Sequence, residues 1–136
     1  MFTHETKIRV RYGETDQMGF MYYGNYATYY EVGRVELLRS TGLTYKQLEM
    51  DGFLLPVSDF SVKYLLPARY DEELTVRTIV STMPGIKINF DFEIFNELDV
   101  LINTAKVQLV FMSAETNKPC RPPKYFIDAF SPYFSK

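Results

Sequence analysis

The side chains able to do chemistry in this 136-residue chain are few, and a loop aspartate, Asp16, is one of them. The chain has one histidine, His4, and one cysteine, Cys120, so a Ser-His-Asp triad, a Cys-His triad or a clustered zinc site lacks members. It also has no glycine-rich nucleotide-binding loop. Asp16 lies in the stretch GETDQMGFM, whose glycines and lack of periodicity predict a loop. Most loop aspartates are solvated or cap turns, but a partly desolvated one can act as a nucleophile or a general base.

Composition limits the kind of protein that carries this loop. The chain is 46% hydrophobic and 24% charged, which is typical of a globular protein, and we expect one domain over residues 1–136. A net charge of −2 without like-charged blocks argues against nucleic-acid binding. No apolar stretch approaches the roughly 20 residues that cross a bilayer, and the N-terminal residues do not resemble a secretory signal. We therefore expect a cytoplasmic protein that binds neither nucleic acid nor membrane and needs no metal or cofactor.

Two elements are predicted to hold the Asp16 loop in place. Residues 6–12 alternate between core-facing and charged side chains, which predicts a strand before the loop. From about Gly24 a helix follows that is apolar around most of its circumference and ends at Gly42. Its polar exceptions, Glu31 and Arg34, lie three residues apart and could pair with each other or with a neighbour.

A short second helix and four strands are predicted downstream. Thr44 and Gln47 form a capping-box pattern at the start of the helix, and Gly52 ends it. Alternating apolar residues predict strands over 60–64, 74–80, 86–94 and 100–112, the first two as the arms of a hairpin and all four as an antiparallel meander. The proline-rich, aromatic tail predicts a short helix and a flap docked on the body.

This order of elements indicates an α+β protein in which a five-stranded antiparallel sheet wraps around a long central helix. One such sheet cannot cover a helix that is apolar on several sides. We therefore expect a second copy of the chain to complete the burial, in a homodimer or a homotetramer.

The stretch YGETDQMGFMYYGNYATYYEVGR at residues 12–34 closely resembles the signature of hot-dog acyl-CoA thioesterases of the 4-hydroxybenzoyl-CoA thioesterase-like family. The residues that match in identity and spacing are Asp16, Gly19, Asn25, Tyr26, Glu31 and Arg34. The stretch VKYLLPARYDEELTV from Val62 resembles the family's second and third strands. The resemblance implies a hot-dog fold, hydrolysis of acyl-CoA to free acid and CoA, and Asp16 as the catalytic residue. Relatives acting on short acyl-CoAs often have histidine where this chain has Tyr23, so a histidine-assisted step is not implied here.

A thioester substrate gives the start of the long helix a role. Its free N–H groups and positive dipole end favour the backbone amides of Tyr23 and Gly24 as oxyanion donors, although Gly24 could equally serve only to turn the chain. The Tyr23 side chain could contact the thioester or simply pack. Asn25 could cap the helix, which is the simpler role, or position Asp16 and water. Glu31 and Arg34 are expected to form a structural pair.

The CoA phosphates require cationic side chains along their path. Lys63 and Arg69 lie in the second matching stretch, and Arg121 and Lys124 lie in the tail, although exposed cations are more often only solvated. Two alternatives stay open at this point. The carrier of the acyl group could be acyl carrier protein, or the domain could bind acyl-CoA without catalysis.

Overall fold

The computed structural model describes residues 1–135, and its first strand lies close to the predicted one. β1 spans Phe2–Arg9, beginning earlier and ending earlier than expected. It begins earlier because each of its residues has a partner on an eight-residue strand further along the chain, from Phe2 opposite Val80 to Arg9 opposite Glu73. It ends at Arg9 because the backbone then turns into a short 3-10 helix, Tyr12–Glu14.

Both helices form where the sequence predicts them. A 3-10 turn, Tyr23–Asn25, leads into α1, Tyr26–Ser40. Gly42 follows α1 with a φ of +90°, and its N–H donates to the carbonyl of Arg39 at 2.9 Å.

The second helix, α2, spans Tyr45–Met50 and has the predicted cap. Thr44 Oγ1 accepts from the Gln47 N–H at 3.1 Å. The reciprocal half of the capping box is absent, because the Gln47 amide donates to Asp51 instead.

The sheet confirms the α+β class but corrects part of the predicted connectivity. Five antiparallel strands lie in the order β1-β4-β5-β6-β3, and β2 and β7 form a separate short pair. The bounds of the strands after β1 are β2 Phe53–Leu54, β3 Val57–Tyr64, β4 Glu73–Val80, β5 Lys87–Phe95, β6 Leu101–Val110 and β7 Met112–Ser113.

The predicted meander is right for β4, β5 and β6 and wrong for β3. β3 pairs with β6 rather than forming a hairpin with β4. The connection 65–72 is longer than the usual hairpin loop of 2–5 residues. It also bonds elsewhere, since the N–H groups of Leu65 and Leu66 both donate to the Ile102 carbonyl.

Helix α1 lies across one face of the sheet, as the predicted hot-dog arrangement requires. Every second residue of β4 and β5 is buried beneath it. The buried face of α1 consists of Tyr26, Tyr29, Tyr30, Gly33, Leu37 and Leu38. Its opposite side leaves Ala27, Thr28 and Glu31 exposed, so one chain covers only part of the helix.

The tail docks on the body as predicted. It forms α3, Lys124–Phe130, whose Phe126 and Phe130 are buried. The Phe126 ring packs edge-on against Phe111 at a centroid distance of 4.8 Å. Within residues 1–135, no helix has the length and apolar character needed to span a membrane.

Gly33 sets how closely α1 approaches the sheet. A Cβ at this position would lie 2.7 Å from Thr78 Oγ1 and 2.9 Å from Val76 Cγ1. Both atoms belong to short β-branched side chains on β4, which cannot swing away as a long side chain would. Glycine therefore allows a helix-to-sheet contact that any larger residue would push apart.

We predict that Gly33→Ala destabilises the protein by about 1–3 kcal/mol, because the overpacking at β4 outweighs the better helix propensity of alanine. Thermal unfolding measures the change. The matched control is Gly85→Ala, since a Cβ at Gly85 would meet nothing within 4 Å. Equal stability of the two variants would contradict the prediction.

Candidate active site

Asp16 is held by the backbone of its own loop. Its Oδ1 accepts from the N–H groups of Met18 at 2.9 Å and Phe20 at 3.3 Å. Its own N–H donates to the Phe20 carbonyl at 2.8 Å. Gly19 permits this tight loop by adopting a φ of +80°. Since both bonds go to Oδ1, Oδ2 has no hydrogen bond from residues 1–135 and is free to act on a ligand.

The Asp16 cavity is a pocket of about 320 Å³ beside this carboxylate. Asp16 is the one charged residue among those that line it. The remaining wall is apolar or aromatic and comes from the loop, from the start of α1 and from the segment after β3, with contributions from Phe20, Tyr26, Tyr64 and Leu66. The arrangement places one carboxylate against a site suited to an apolar group.

The turn that precedes α1 borders the same cavity through Tyr23. The N–H groups of Asn25 and Tyr26 close this turn by donating to the carbonyls of Tyr22 and Tyr23. The two earlier N–H groups, of Tyr23 and Gly24, have no acceptor within the turn. These are the two amides that the sequence singled out.

Gly24 also has a packing reason to be glycine. A Cβ there would lie 2.6 Å from Cε2 of the Tyr22 ring, so a larger residue would have to displace that ring. Tyr22 and Tyr23 pack together with their ring centroids 4.8 Å apart. Tyr23 nevertheless stays 64% exposed.

Tyr64 is a cavity residue that the sequence analysis did not select. It reaches from β3 to the turn, where its hydroxyl donates to the Tyr23 carbonyl at 3.2 Å. Burial raises the pKa of Tyr64, which keeps the hydroxyl protonated as a donor at neutral pH. This contact joins β3 to the turn before α1, which are far apart in the sequence. A local sequence pattern therefore does not reveal it.

Asn25 does not cap α1, which corrects the simpler of its two predicted roles. Its Nδ2 instead donates to the carbonyl of Glu14 at 2.9 Å. The side chain thus binds the start of the helix to the loop that carries Asp16. The reason is that Asn25 ends the 3-10 turn in a helical conformation, with φ −82° and ψ −14°, whereas a capping residue is usually extended.

Glu14 is the second residue that the sequence analysis missed, and it is 9% exposed. Its Oε1 accepts from the Tyr29 hydroxyl at 2.7 Å and from the Arg11 N–H at 2.9 Å. Its Oε2 accepts from Arg11 Nη2 at 3.1 Å. A glutamate two residues before Asp16 within the matched stretch was the available signal, but its donors become visible only in the folded chain.

The charge of Glu14 is stabilised by these donors. Burial by itself would raise the pKa of Glu14, but the hydrogen bonds from Tyr29 and Arg11 and the positive charge of Arg11 together hold it below its usual value. Burial raises the pKa of Tyr29, and the bond to Glu14 raises it further. A carboxylate facing a protonated phenol is therefore the stable state at neutral pH.

The predicted CoA-binding cations lie in different places. The Arg69 guanidinium sits over the Phe20 ring, 4.7 Å from its centroid, at the edge of the Asp16 cavity. Lys63 lines a different pocket with Asp91 and Lys106, on the sheet face away from α1. In the tail, Arg121 is exposed and Lys124 Nζ lies 2.8 Å from Asp128. The structure thus places Arg69 on Phe20, which lines the Asp16 cavity, and leaves Lys63 and Lys124 elsewhere.

Glu31 and Arg34 both lie on α1, but their charged groups form no ion pair with each other in the described chain. Both line a small pocket with Phe60, and both line a second pocket with Tyr45. Burial raises the pKa of Tyr45, while the neighbouring Arg34 acts to lower it. Arg34 shares a pocket with Tyr45 of the second helix, and the predicted mutual pair with Glu31 is absent from the described chain.

Comparison with known proteins places this chain among thioesterases. The family model described as the thioesterase-like superfamily matches residues 10–130. "Putative acyl-CoA thioesterase YneP" of Bacillus subtilis is 35% identical over 133 residues, which cover 98% of this chain and 96% of that protein. Acyl-CoA thioester hydrolase YbgC of Escherichia coli O157:H7 is 32% identical over 123 residues, covering 90% and 92% of the two chains. The solved structure of DHNA-CoA thioesterase from Staphylococcus aureus superimposes with a TM-score of 0.91 at 36% identity, covering 98% and 92%.

We predict that Glu14→Gln lowers stability at neutral pH and that this loss diminishes as the solution is acidified. Because the folded-state pKa of Glu14 is lowered, its charge stabilises the fold fully above the unfolded-state value of about 4.3. That contribution is lost as the pH falls through the folded-state pKa. The expected loss at pH 7 is about 1–3 kcal/mol, since the amide places a donor against Arg11.

Thermal unfolding of wild type and Glu14→Gln between pH 7 and pH 3 measures this effect. Glu115→Gln, in an exposed turn, controls for the loss of one negative charge. A stability difference that stays constant over the whole range would show that the Glu14 charge is not coupled to folding.

Proposed function

The chain belongs to the thioesterase-like superfamily and is a thioester hydrolase; we propose that its substrate is an acyl-CoA and that Asp16 acts on the thioester carbonyl. The observation that carries the proposal is the position of the Asp16 carboxylate. It is the one charged group lining an apolar cavity, and its Oδ2 is left free. An acyl chain or ring in this cavity would bring its carbonyl carbon to that oxygen.

Two routes use the same carboxylate. As a nucleophile, Asp16 attacks the carbonyl carbon, the C–S bond breaks, CoA leaves as a thiolate that takes a proton, and water then hydrolyses the mixed anhydride. As a general base, Asp16 accepts a proton from water, whose oxygen attacks the carbonyl carbon before the thiolate leaves. Both routes give the free acid and CoA, and neither needs a histidine.

Negative charge develops on the carbonyl oxygen in either route. The N–H groups of Tyr23 and Gly24 are proposed as its donors, because they point from the start of a helix and have no acceptor in the turn. Asn25 and Tyr64 hold this turn through Glu14 and the Tyr23 carbonyl, respectively. The Tyr23 side chain is proposed as part of the wall that excludes water.

Arg69 is proposed as a contact for the CoA phosphates. Its guanidinium lies at the cavity edge, where the long polar part of CoA would leave the site, and stacking on Phe20 restricts its motion. The position of Lys63 on the other face of the sheet gives it no route to this cavity within one chain.

We predict that Asp16→Asn lowers kcat for acyl-CoA hydrolysis by at least 100-fold, because the amide can neither attack the thioester nor accept a proton. Release of free CoA, measured with a thiol reagent, gives the rate. The panel contains short, long and aromatic acyl-CoAs, including DHNA-CoA because of the relative from S. aureus. The control, Asp128→Asn, removes a carboxylate from the exposed side of α3.

The outcomes separate the alternatives. An unaffected Asp16→Asn enzyme would overturn the role of Asp16. Turnover of acyl groups on acyl carrier protein but not on CoA would identify the other carrier. Tight binding of acyl-CoA with no turnover on any thioester would indicate a binding protein rather than an enzyme.

We also propose that two copies associate through β3, giving a dimer or a dimer-based tetramer. β3 lies at one end of the sheet and pairs on one side only. It carries exposed apolar side chains, with Val57 51%, Phe60 40% and Tyr64 50% exposed. The opposite edge strand, β1, instead carries exposed charges such as Lys7 and Arg9, which discourage edge pairing. The apolar edge also adjoins the Asp16 cavity through Tyr64, so a second copy would close that side of the site.

We predict that the wild-type protein is a dimer or tetramer in solution and that Val57→Asp shifts it toward the monomer. A charge on the apolar edge would be buried without a partner in the complex. Light scattering coupled to size-exclusion chromatography measures the mass. Leu98→Asp is the control, because Leu98 is also an exposed apolar residue but lies in the turn between β5 and β6. A monomeric wild type would contradict the proposal.

A further inference from the structure

We infer that Glu14 is a positioning residue whose carboxylate, bound by Tyr29 of α1, fixes the Asp16 loop against the oxyanion turn, which is the turn Tyr23–Asn25 with the proposed oxyanion donors. The inference rests on the proposed role of Asp16 in thioester hydrolysis. Glu14 does not line the Asp16 cavity and would not touch the substrate. It would act entirely through the position of its neighbours.

The Asp16 carboxylate has no bond of its own to α1. Its two hydrogen bonds go to Met18 and Phe20, within the same loop. These bonds define the shape of the loop but not its place on the molecule. Something else has to set the distance between Asp16 and the amides of Tyr23 and Gly24.

The side chain of Glu14 makes that connection in the interior. Oε1 accepts from the hydroxyl of Tyr29, which lies on the buried face of α1. The other donors, the N–H and guanidinium of Arg11, belong to the loop side. The hydrogen bond from Tyr29 thus connects the Glu14 carboxylate to the helix, and this bond is shielded from water.

The backbone of Glu14 makes the same connection a second time. Its carbonyl accepts from the Tyr22 N–H at 2.8 Å and from Asn25 Nδ2 at 2.9 Å. Both donors flank the two proposed oxyanion amides. Glu14, which lies two positions before Asp16, therefore binds the turn on both sides of Tyr23 and Gly24.

This geometry predicts an effect on kcat rather than on substrate affinity. The attacking oxygen and the oxyanion donors must meet the same carbonyl group, and a misplacement of about 1 Å can cost two orders of magnitude in rate. The apolar wall and Arg69 would still bind the substrate. Loosening the Glu14 link should accordingly lower kcat while KM changes little.

The test compares Tyr29→Phe with Tyr30→Phe. Each removes one buried tyrosine hydroxyl from neighbouring positions of α1, but Tyr30 donates to Asn103 in the sheet rather than to the loop. We expect Tyr29→Phe to lower kcat about tenfold with KM within twofold. Tyr30→Phe should keep kcat within twofold when both are assayed well below their melting temperatures.

Hydrogen exchange provides a second readout that does not need activity. The N–H groups of Met18 and Phe20 are bonded to Asp16 and report on the order of the loop. We expect them to exchange at least fivefold faster in Tyr29→Phe than in Tyr30→Phe. If wild type hydrolyses no thioester, the proposed function fails, and exchange still decides whether Glu14 fixes the loop.

Two results would overturn the inference. One is an equal loss of kcat and equal exchange in the two variants, which would mean that any lost buried hydroxyl has the same effect. The other concerns folding: if Tyr29→Phe does not fold, Glu14→Gln is measured against Tyr30→Phe in its place. Failure of both while Tyr30→Phe folds would show that Glu14 supports the whole fold rather than the position of Asp16.

Discussion

A buried carboxylate between a loop and a helix is the constraint on which the site depends. Removing a charge from water is costly unless hydrogen bonds and an opposite charge replace the water, and Glu14 receives both from Tyr29 and Arg11. Tyr29 belongs to α1 and Arg11 belongs to the loop side. Moving the loop away from α1 would therefore remove the Tyr29 donor from the buried charge. The cost of burial thereby becomes a source of geometric precision at Asp16.

The helix itself is held in place by a different kind of contact. Gly33 lets α1 lie directly on Val76 and Thr78 of β4, as a side chain at this position would not. Since α1 is rigid, the distance between the middle of the helix and the sheet also determines where the first turn of the helix lies. The turn Tyr23–Asn25 is thus positioned by the packing of α1 on the sheet and by the hydrogen bonds to Glu14.

The sequence predicted the elements well where local patterns decide them. Alternation gave β4 and β5 nearly to the residue, and Thr44 and Gly42 marked helix ends through local hydrogen bonding and backbone geometry. The pairing of β3 with β6 escaped prediction because it joins residues 39 to 52 positions apart, from Tyr64 opposite Asn103 to Val57 opposite Leu109. Strand pairing of this kind is chosen by the whole fold and not by the strand's own residues.

The same division holds for the candidate site. Asp16 was selected because residues 12–34 resemble a thioesterase signature, and Tyr23 and Gly24 were selected because they precede a helix. The structure places Asp16 and Tyr23 on the wall of one cavity, with Gly24 next to Tyr23 in the turn. Asn25 was assigned to its own helix by local reasoning, whereas the folded loop offered the Glu14 carbonyl. Glu14 and Tyr64 were missed because burial and a distant donor or acceptor define their roles.

Glu14 and Asp16 illustrate how environment divides two carboxylates between support and chemistry. Both oxygens of Glu14 accept hydrogen bonds from Tyr29 and Arg11, so this group is stabilised as an anion and directed at donors within the protein. Asp16 has both of its bonds on Oδ1, and Oδ2 is left for the cavity. A nucleophile or base must have an unoccupied oxygen, whereas a positioning group works best with none. The different hydrogen bonding of the two carboxylates thus supports the proposed role of Asp16 in the chemistry, although Glu14 is the more deeply buried of the two.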